Sequence, residues 1–264
     1  MRLPITQVDA FADRPFAGNP AAVIPLDAWL DDAMLMTIAA ENNLSETAFY
    51  LPDATGDADY ELRWFTPNSE VRLCGHATLA TGHVVLSADP ARESVRFRTR
   101  LSGVLSATRA GAGYEIRLPA LPPAPKPLPD VLAALGIDDA VETLWRDGGY
   151  GLIVLADEDA VRGLHPNMRA LAEMGDRQAI VTAPGRDTAI VSRMFAPGAG
   201  IDEDPVTGSA HAVMVPYWAK RLGRDSFTAF QASARGGHLA CRLDGDEVVL
   251  GGKCVTVIEG TFLL

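Results

Sequence analysis

At 264 residues, with 48% hydrophobic and 22% charged positions, the chain is long enough for two modest α/β lobes and too apolar for global disorder. A net charge of −11, with no run of Lys and Arg, excludes the basic stripe that nucleic acid or an anionic membrane would require. Three widely spaced cysteines (Cys74, Cys241, Cys254) give neither a disulfide framework nor a metal knuckle, and no stretch reaches the roughly 18 apolar residues of a membrane span. The start carries Asp9, Asp13 and Arg14 where a leader would be apolar, so a reducing cytoplasm is the expected location.

In chain order, the alternating run from Leu3 to Val8 predicts a strand, and Ala17-Gly-Asn-Pro20 a turn. Leu30, Met34, Leu35 and Ile38 recur at helical spacing, with Asp27 as the expected N-cap. Strands are predicted at 47–51, 60–65, 94–99, 104–108 and 114–118, with an apolar helix at 76–86 among them. The segment from Pro119 to Pro129 holds six prolines in eleven residues, which removes ladder donors and marks a domain boundary. Beyond it come a short helix at 130–135, strands near 151–155, 179–182 and 188–195, an apolar helix after Gly208, and strands to the end.

A repeat runs through both halves. Arg63-Trp-Phe-Thr-Pro67 leads through Glu70 to Cys74-Gly-His-Ala77, and Arg193-Met-Phe-Ala-Pro197 leads through Glu203 and Asp204 to Thr207-Gly-Ser-Ala210, with the two phenylalanines 130 residues apart. Ordered agreement of this kind indicates duplication and a pseudo-twofold relation between two lobes. In each copy a glycine opens an apolar helix, where unpaired N–H groups and the positive end of the dipole favour an anion. Taken singly, these glycines could merely allow helix and strand to approach, and Ser209 could be a capping hydroxyl.

Cys74, His76, Asp204, Thr207 and Ser209 around Gly75 and Gly208 form a set suited to proton transfer and to hydrogen bonding an anion. Glu46, between apolar residues at a strand start, is a candidate general base, or else an edge carboxylate facing water. His83 and His211 read as packing or partly solvated side chains, and His165 and His238 sit in loop or strand contexts that point to no role. No metal-ligand spacing occurs, the Gly-x-Gly pieces at Gly111 and Gly198 lack the context of a dinucleotide site, and no Gly-x-Ser-x-Gly elbow supports a hydrolase.

Asp9-Ala-Phe, Gly18-Asn-Pro-Ala-Ala-Val23, Ser45-Glu-Thr-Ala-Phe49, Phe65-Thr-Pro, Cys74-Gly-His-Ala-Thr78, Glu203-Asp-Pro-Val-Thr-Gly-Ser-Ala210 and Gly251-Gly together resemble the PhzF-like family over nearly the full length. The resemblance implies the diaminopimelate-epimerase-type α/β fold: two pseudo-symmetric lobes (1–120 and 121–257, with strand 258–264 returning to the first), each a curled, mostly antiparallel sheet around a central helix. It further implies a cofactor-independent isomerase, a homodimer, acting on a small anionic carboxylate in the interlobe cleft. Glu46 would shift the proton, His76 and Asp204 would assist, and Gly75, Gly208, Ser209, Cys74 and Thr207 would bind substrate. Related racemases use two opposed thiols; Thr207 in the second place disfavours that mechanism here. Gln231-Ala-Ser-Ala-Arg departs from the usual Gln-Gly opening and leaves the substrate open. The rival reading is a non-catalytic binding protein that kept the fold.

Overall fold

The computed structural model describes residues 1–264, which form two compact units: Met1–Leu118 with Gly251–Leu264, and Pro119–Leu250. The first contains β1 (Arg2–Ala10), β2 (Asn19–Pro25), α1 (Asp32–Asn42), β3 (Glu46–Pro52), β4 (Tyr60–Phe65), β5 (Glu70–Val71), α2 (Gly75–Ala88), β6 (Ser94–Arg98), β7 (Val104–Ala110) and β8 (Gly113–Pro119). The second contains β9 (Ala124–Pro125), α3 (Pro129–Leu135), β10 (Glu142–Arg146), β11 (Tyr150–Val154), α4 (Glu158–Arg162), α5 (Met168–Ala172), β12 (Gln178–Pro184), β13 (Ile190–Phe195), α6 (Gly208–Leu222), β14 (Ser226–Gln231), β15 (Gly237–Asp244) and β16 (Glu247–Gly252). The last strand, β17 (Cys254–Leu263), pairs with β1 along its whole length and so carries residues from Gly251 onward into the first unit, earlier than 258.

The two units repeat one ladder pattern. In the first, β1–β2 is antiparallel, β2–β3 parallel, β3–β4 antiparallel, β4–β6 parallel and β6–β7 antiparallel. In the second, β10–β11, β11–β12, β12–β13, β13–β14 and β14–β15 run through the same alternation. An outer antiparallel strand completes each set, β17 on β1 and β9 on β10.

Each sheet curls around one helix that is apolar on nearly every side, as a helix must be when no face meets water. Ten of the fourteen residues of α2 are buried. Gly82 lets α2 press against β7, since a Cβ there would stand 2.4 Å from that of Ala107. In α6, Pro216 has no N–H to give the carbonyl of Ala212, and the backbone N–H of Leu121 takes that place at 2.9 Å. The proline-rich segment is thereby pinned to the helix of its own unit.

Local chemistry corrects several boundaries. The N-cap of α1 is Asp31, whose carboxylate accepts the Met34 N–H at 2.7 Å; Asp27 lies a turn too early to reach the first free donors. The expected turn at 17–20 is a turn followed at once by β2. Gly18 makes it with φ +64° and a Cβ position 2.1 Å from the Ala10 carbonyl oxygen, so no side chain fits. Asn19 is then the first residue of β2.

Candidate active site

In the first unit the parallel pairing of β2 with β3 sets Ala21 opposite Glu46, which brings the start of β3 beside Asn19. The turn into α2 supplies Cys74 and His76. The His76 imidazole is buried, with Nε2 3.1 Å from Glu46 Oε2 and Nδ1 3.1 Å from Asn19 Nδ2 and 3.6 Å from Cys74 Sγ. The Nε2–Oε2 approach is off the ring N–H direction, so it is an ionic contact and neither atom gains an aligned hydrogen bond. Asn19 Oδ1 accepts from Ser45 Oγ at 3.4 Å, so its carboxamide links the ring to the residue just before β3.

Burial alone would lower the His76 pKa, but the negative charge beside the ring outweighs it and holds the imidazole well above its ordinary value. Burial and the Glu46 carboxylate push the Cys74 thiol up to about 11, so at neutral pH it is a neutral thiol and Glu46 is the charge that acts on His76. The carboxylate and the imidazole are thus the charged pair at this helix start.

The second unit has a different chemistry on the same scaffold. The Thr207 hydroxyl donates to Asp204 Oδ2 in a short hydrogen bond. Gln231, fully buried, donates from Nε2 to the Asp204 carbonyl at 2.7 Å and accepts the Thr207 N–H at 2.9 Å. Ser209 is not a cap: Thr207 is the N-cap residue of α6, and the Ser209 hydroxyl sits beyond it in the first turn.

Three further correspondences tie the two helix starts to duplication. Both N-cap residues are extended, Cys74 at φ −137°, ψ 107° and Thr207 at φ −110°, ψ 107°, and neither side chain caps its helix. Both N-cap carbonyls accept a side chain from the residue four positions on: Thr78 Oγ1 to Cys74 O at 2.5 Å, His211 Nδ1 to Thr207 O at 2.7 Å. Both preceding loops are held by a two-pronged ion pair, Arg63 to Glu70 at 2.7 and 2.7 Å and Arg193 to Glu203 at 2.7 and 2.9 Å, each guanidinium 4.8 Å over the ring of the phenylalanine two residues on. Glu70 and Glu203, read in the sequence as loop acids, therefore serve to fix the loops. The first-turn N–H groups of Gly75 and His76, and of Gly208 and Ser209, are left open by helix geometry, and neither first turn carries an acid.

His83 belongs to structure: it bridges α2 to Tyr114 Oη at 3.1 Å and to Thr256 Oγ1 at 2.9 Å. His211 is buried, and burial outweighs its bond to the Thr207 carbonyl, lowering its pKa from the ordinary 6.5 to about 4. A base with a depressed folded-state pKa gives stability that is complete above 6.5 and lost as pH falls towards 4. Denaturant titrations should show a loss of about 3 kcal/mol over that window, at about 1.4 kcal/mol per pKa unit, and His211→Gln should flatten the slope. An unchanged slope in the variant would assign the loss to other groups.

Two curled α/β units, each presenting a strand, a clamped loop and an open helix start, make up a fold that solved epimerases and racemases share. A hydroxyproline epimerase from Agrobacterium vitis, solved with bound trans-4-hydroxy-L-proline, shares this fold at TM-score 0.65 and 12% identity, over 98% of this chain and 92% of its own. The chain belongs to the phenazine biosynthesis-like (PhzC/PhzF) family, whose pattern matches residues 8–260. It is 51% identical, over 100% of both chains, to an uncharacterized isomerase of Pseudomonas aeruginosa. The crystal structure of a PhzF family protein from Enterococcus faecalis matches at TM-score 0.91 with 43% identity over 100% of both chains. The expected family and fold hold.

Asn19 is the site residue that the sequence reading passes over. Its signal was a polar side chain placed directly after a glycine and before the apolar run Pro20-Ala-Ala-Val23, where only a partnered amide can be buried.

Proposed function

We propose that this protein is a cofactor-independent isomerase that shifts a proton on a small carboxylate-bearing substrate, with Glu46 as the acid/base group. The observation that carries the proposal is the Glu46 Oε2–His76 Nε2 contact of 3.1 Å beside the open start of α2. Glu46, its side chain 13% exposed, reaches the edge of the buried cluster, while the imidazole behind it steadies the negative charge of the resting carboxylate. Once Glu46 has taken a proton from carbon, it can return it at a second carbon of the same substrate.

In this reading the open N–H groups at the starts of α2 and α6 hold the substrate carboxylate, and Asp204, Thr207 and Ser209 orient it. The second unit offers a hydroxyl, Thr207, where a two-thiol racemase would need an acid of thiol strength. The Cys74 thiol, pushed up to about 11, is a poor base at neutral pH. Cys74→Ser should therefore lose less than about tenfold in turnover, well short of the loss that follows removal of a general base. Proton exchange into substrate from heavy water, followed by NMR, is the measurement; an inactive Cys74→Ser protein with normal folding would transfer the base role to sulfur.

A further inference from the structure

Sequence spacing offers no metal motif, yet folding assembles a donor set from two elements. One carboxylate oxygen of Glu46, the Cys74 sulfur and one ring nitrogen of His76 all lie within 4.8 Å of one another. The edge between His76 Nε2 and Glu46 Oε2 is 3.1 Å, and both atoms are buried without an aligned hydrogen-bond partner. Nitrogen and oxygen ligands at about 2.0–2.1 Å from a tetrahedral ion stand about 3.3 Å apart, so that edge has the length a shared ion requires. The edges to Cys74 close by rotation of the Cys74 and His76 side chains, and Glu46 reaches solvent and gives an ion its way in.

We infer that Glu46, Cys74 and His76 form a capture site for one thiophilic divalent cation, Zn²⁺ in class, whose binding takes the Glu46 carboxylate out of proton transfer. Zinc is favoured over magnesium because the set is one thiolate, one imidazole and one carboxylate rather than six oxygens. On binding, the Cys74 S–H and His76 Nε2–H bonds break, both protons pass to buffer, and Zn–S and Zn–N bonds form beside the Glu46 oxygen, with a water completing the tetrahedron. Asn19, already against Nδ1, can turn its carboxamide so that Oδ1 accepts the Nδ1–H, the outer contact that a ligating histidine ordinarily has. The second unit holds no counterpart, since Thr207 and Ser209 stand where Cys74 and His76 stand in the first, so the stoichiometry is one ion per chain.

The occupancy of the site rests on geometry alone, and only its inhibitory consequence rests on the function proposed above; binding is therefore measured without substrate. Calorimetric titration of the chelator-stripped protein with Zn²⁺ should give one site, Mg²⁺ should not compete, and Co²⁺ should produce a thiolate-to-metal charge-transfer band. Cys74→Ser should abolish that band and weaken Zn²⁺ binding by about 100-fold, at least the loss known for disturbed outer-shell contacts. Cys241→Ser and Cys254→Ser should leave both unchanged. The inference is overturned if Co²⁺ gives no thiolate band with the unmodified protein, if Cys74→Ser binds zinc as tightly as before, or if Mg²⁺ displaces it. A protein that binds zinc in this way but catalyses no proton exchange would retain this inference and refute the isomerase.

Discussion

Glu46→Gln should lower proton exchange from solvent into substrate by about 10²- to 10⁴-fold while leaving the fold and substrate affinity nearly unchanged. The amide keeps the shape of the side chain at the start of β3 and keeps an oxygen that can face His76 Nε2, 3.1 Å away. What it loses is the site that accepts a proton. Candidate cyclic and amino-acid carboxylates, incubated in heavy water and read by NMR, give the rate; calorimetry gives the affinity. Full activity in Glu46→Gln together with an inactive Cys74→Ser would place the chemistry on the thiol and overturn the reading.

Glu70→Ala should destabilise the protein by about 3 kcal/mol, the low end of the cost of leaving a buried charge without its partner. The Arg63 side chain is 1% exposed, and without Glu70 it keeps only Asp32 Oδ1, at 2.8 Å, whose own side chain is 64% exposed. Glu203→Ala should cost less, because Arg193 is 13% exposed and still donates to the Leu164 carbonyl at 2.9 Å. Urea unfolding of the two variants decides the order. If Glu203→Ala proved the more damaging, burial of the guanidinium would not be what sets the cost. The double replacement of Arg63 by Met and Glu70 by Leu should recover much of the loss, since apolar residues of similar volume bring no charge to bury.

The sequence carried those parts of the fold whose signals are local. A glycine followed by a mainly apolar stretch marked α2 and α6, and β-type runs marked β4 and β8 within a residue of their bounds. It missed α4 and α5, whose five residues are too few for a helical period to repeat, and β10, whose Glu142 and Arg146 leave no apolar run to mark it. It recognised the Arg-x-Phe-x-Pro repeat but not that each arginine closes on the acid of its own loop, because that contact depends on how the chain turns between them.

The site divided in the same way. Glu46, Cys74 and His76 were each identified by type and motif, but their convergence depends on the register that sets Ala21 against Glu46, and register is a property of paired strands. Asn19 was hidden by its position after Gly18, where turn chemistry explained it well enough to stop the search. Its burial against His76 becomes visible only when β2 and α2 are in place.

The hydrogen bond that closes each helix start is made by a hydroxyl in one copy and by an imidazole in the other, Thr78 on the Cys74 carbonyl and His211 on the Thr207 carbonyl. A threonine hydroxyl takes up no proton as pH falls, whereas a buried histidine can, here with its pKa lowered to about 4. The two supports are equivalent in place, and only one of them can respond to protons. Acidification therefore bears on the start of α6, through a charge forced into its buried neighbour, and leaves the corresponding support of α2 untouched. Two halves built to one plan have in this way acquired separate sensitivities to their surroundings.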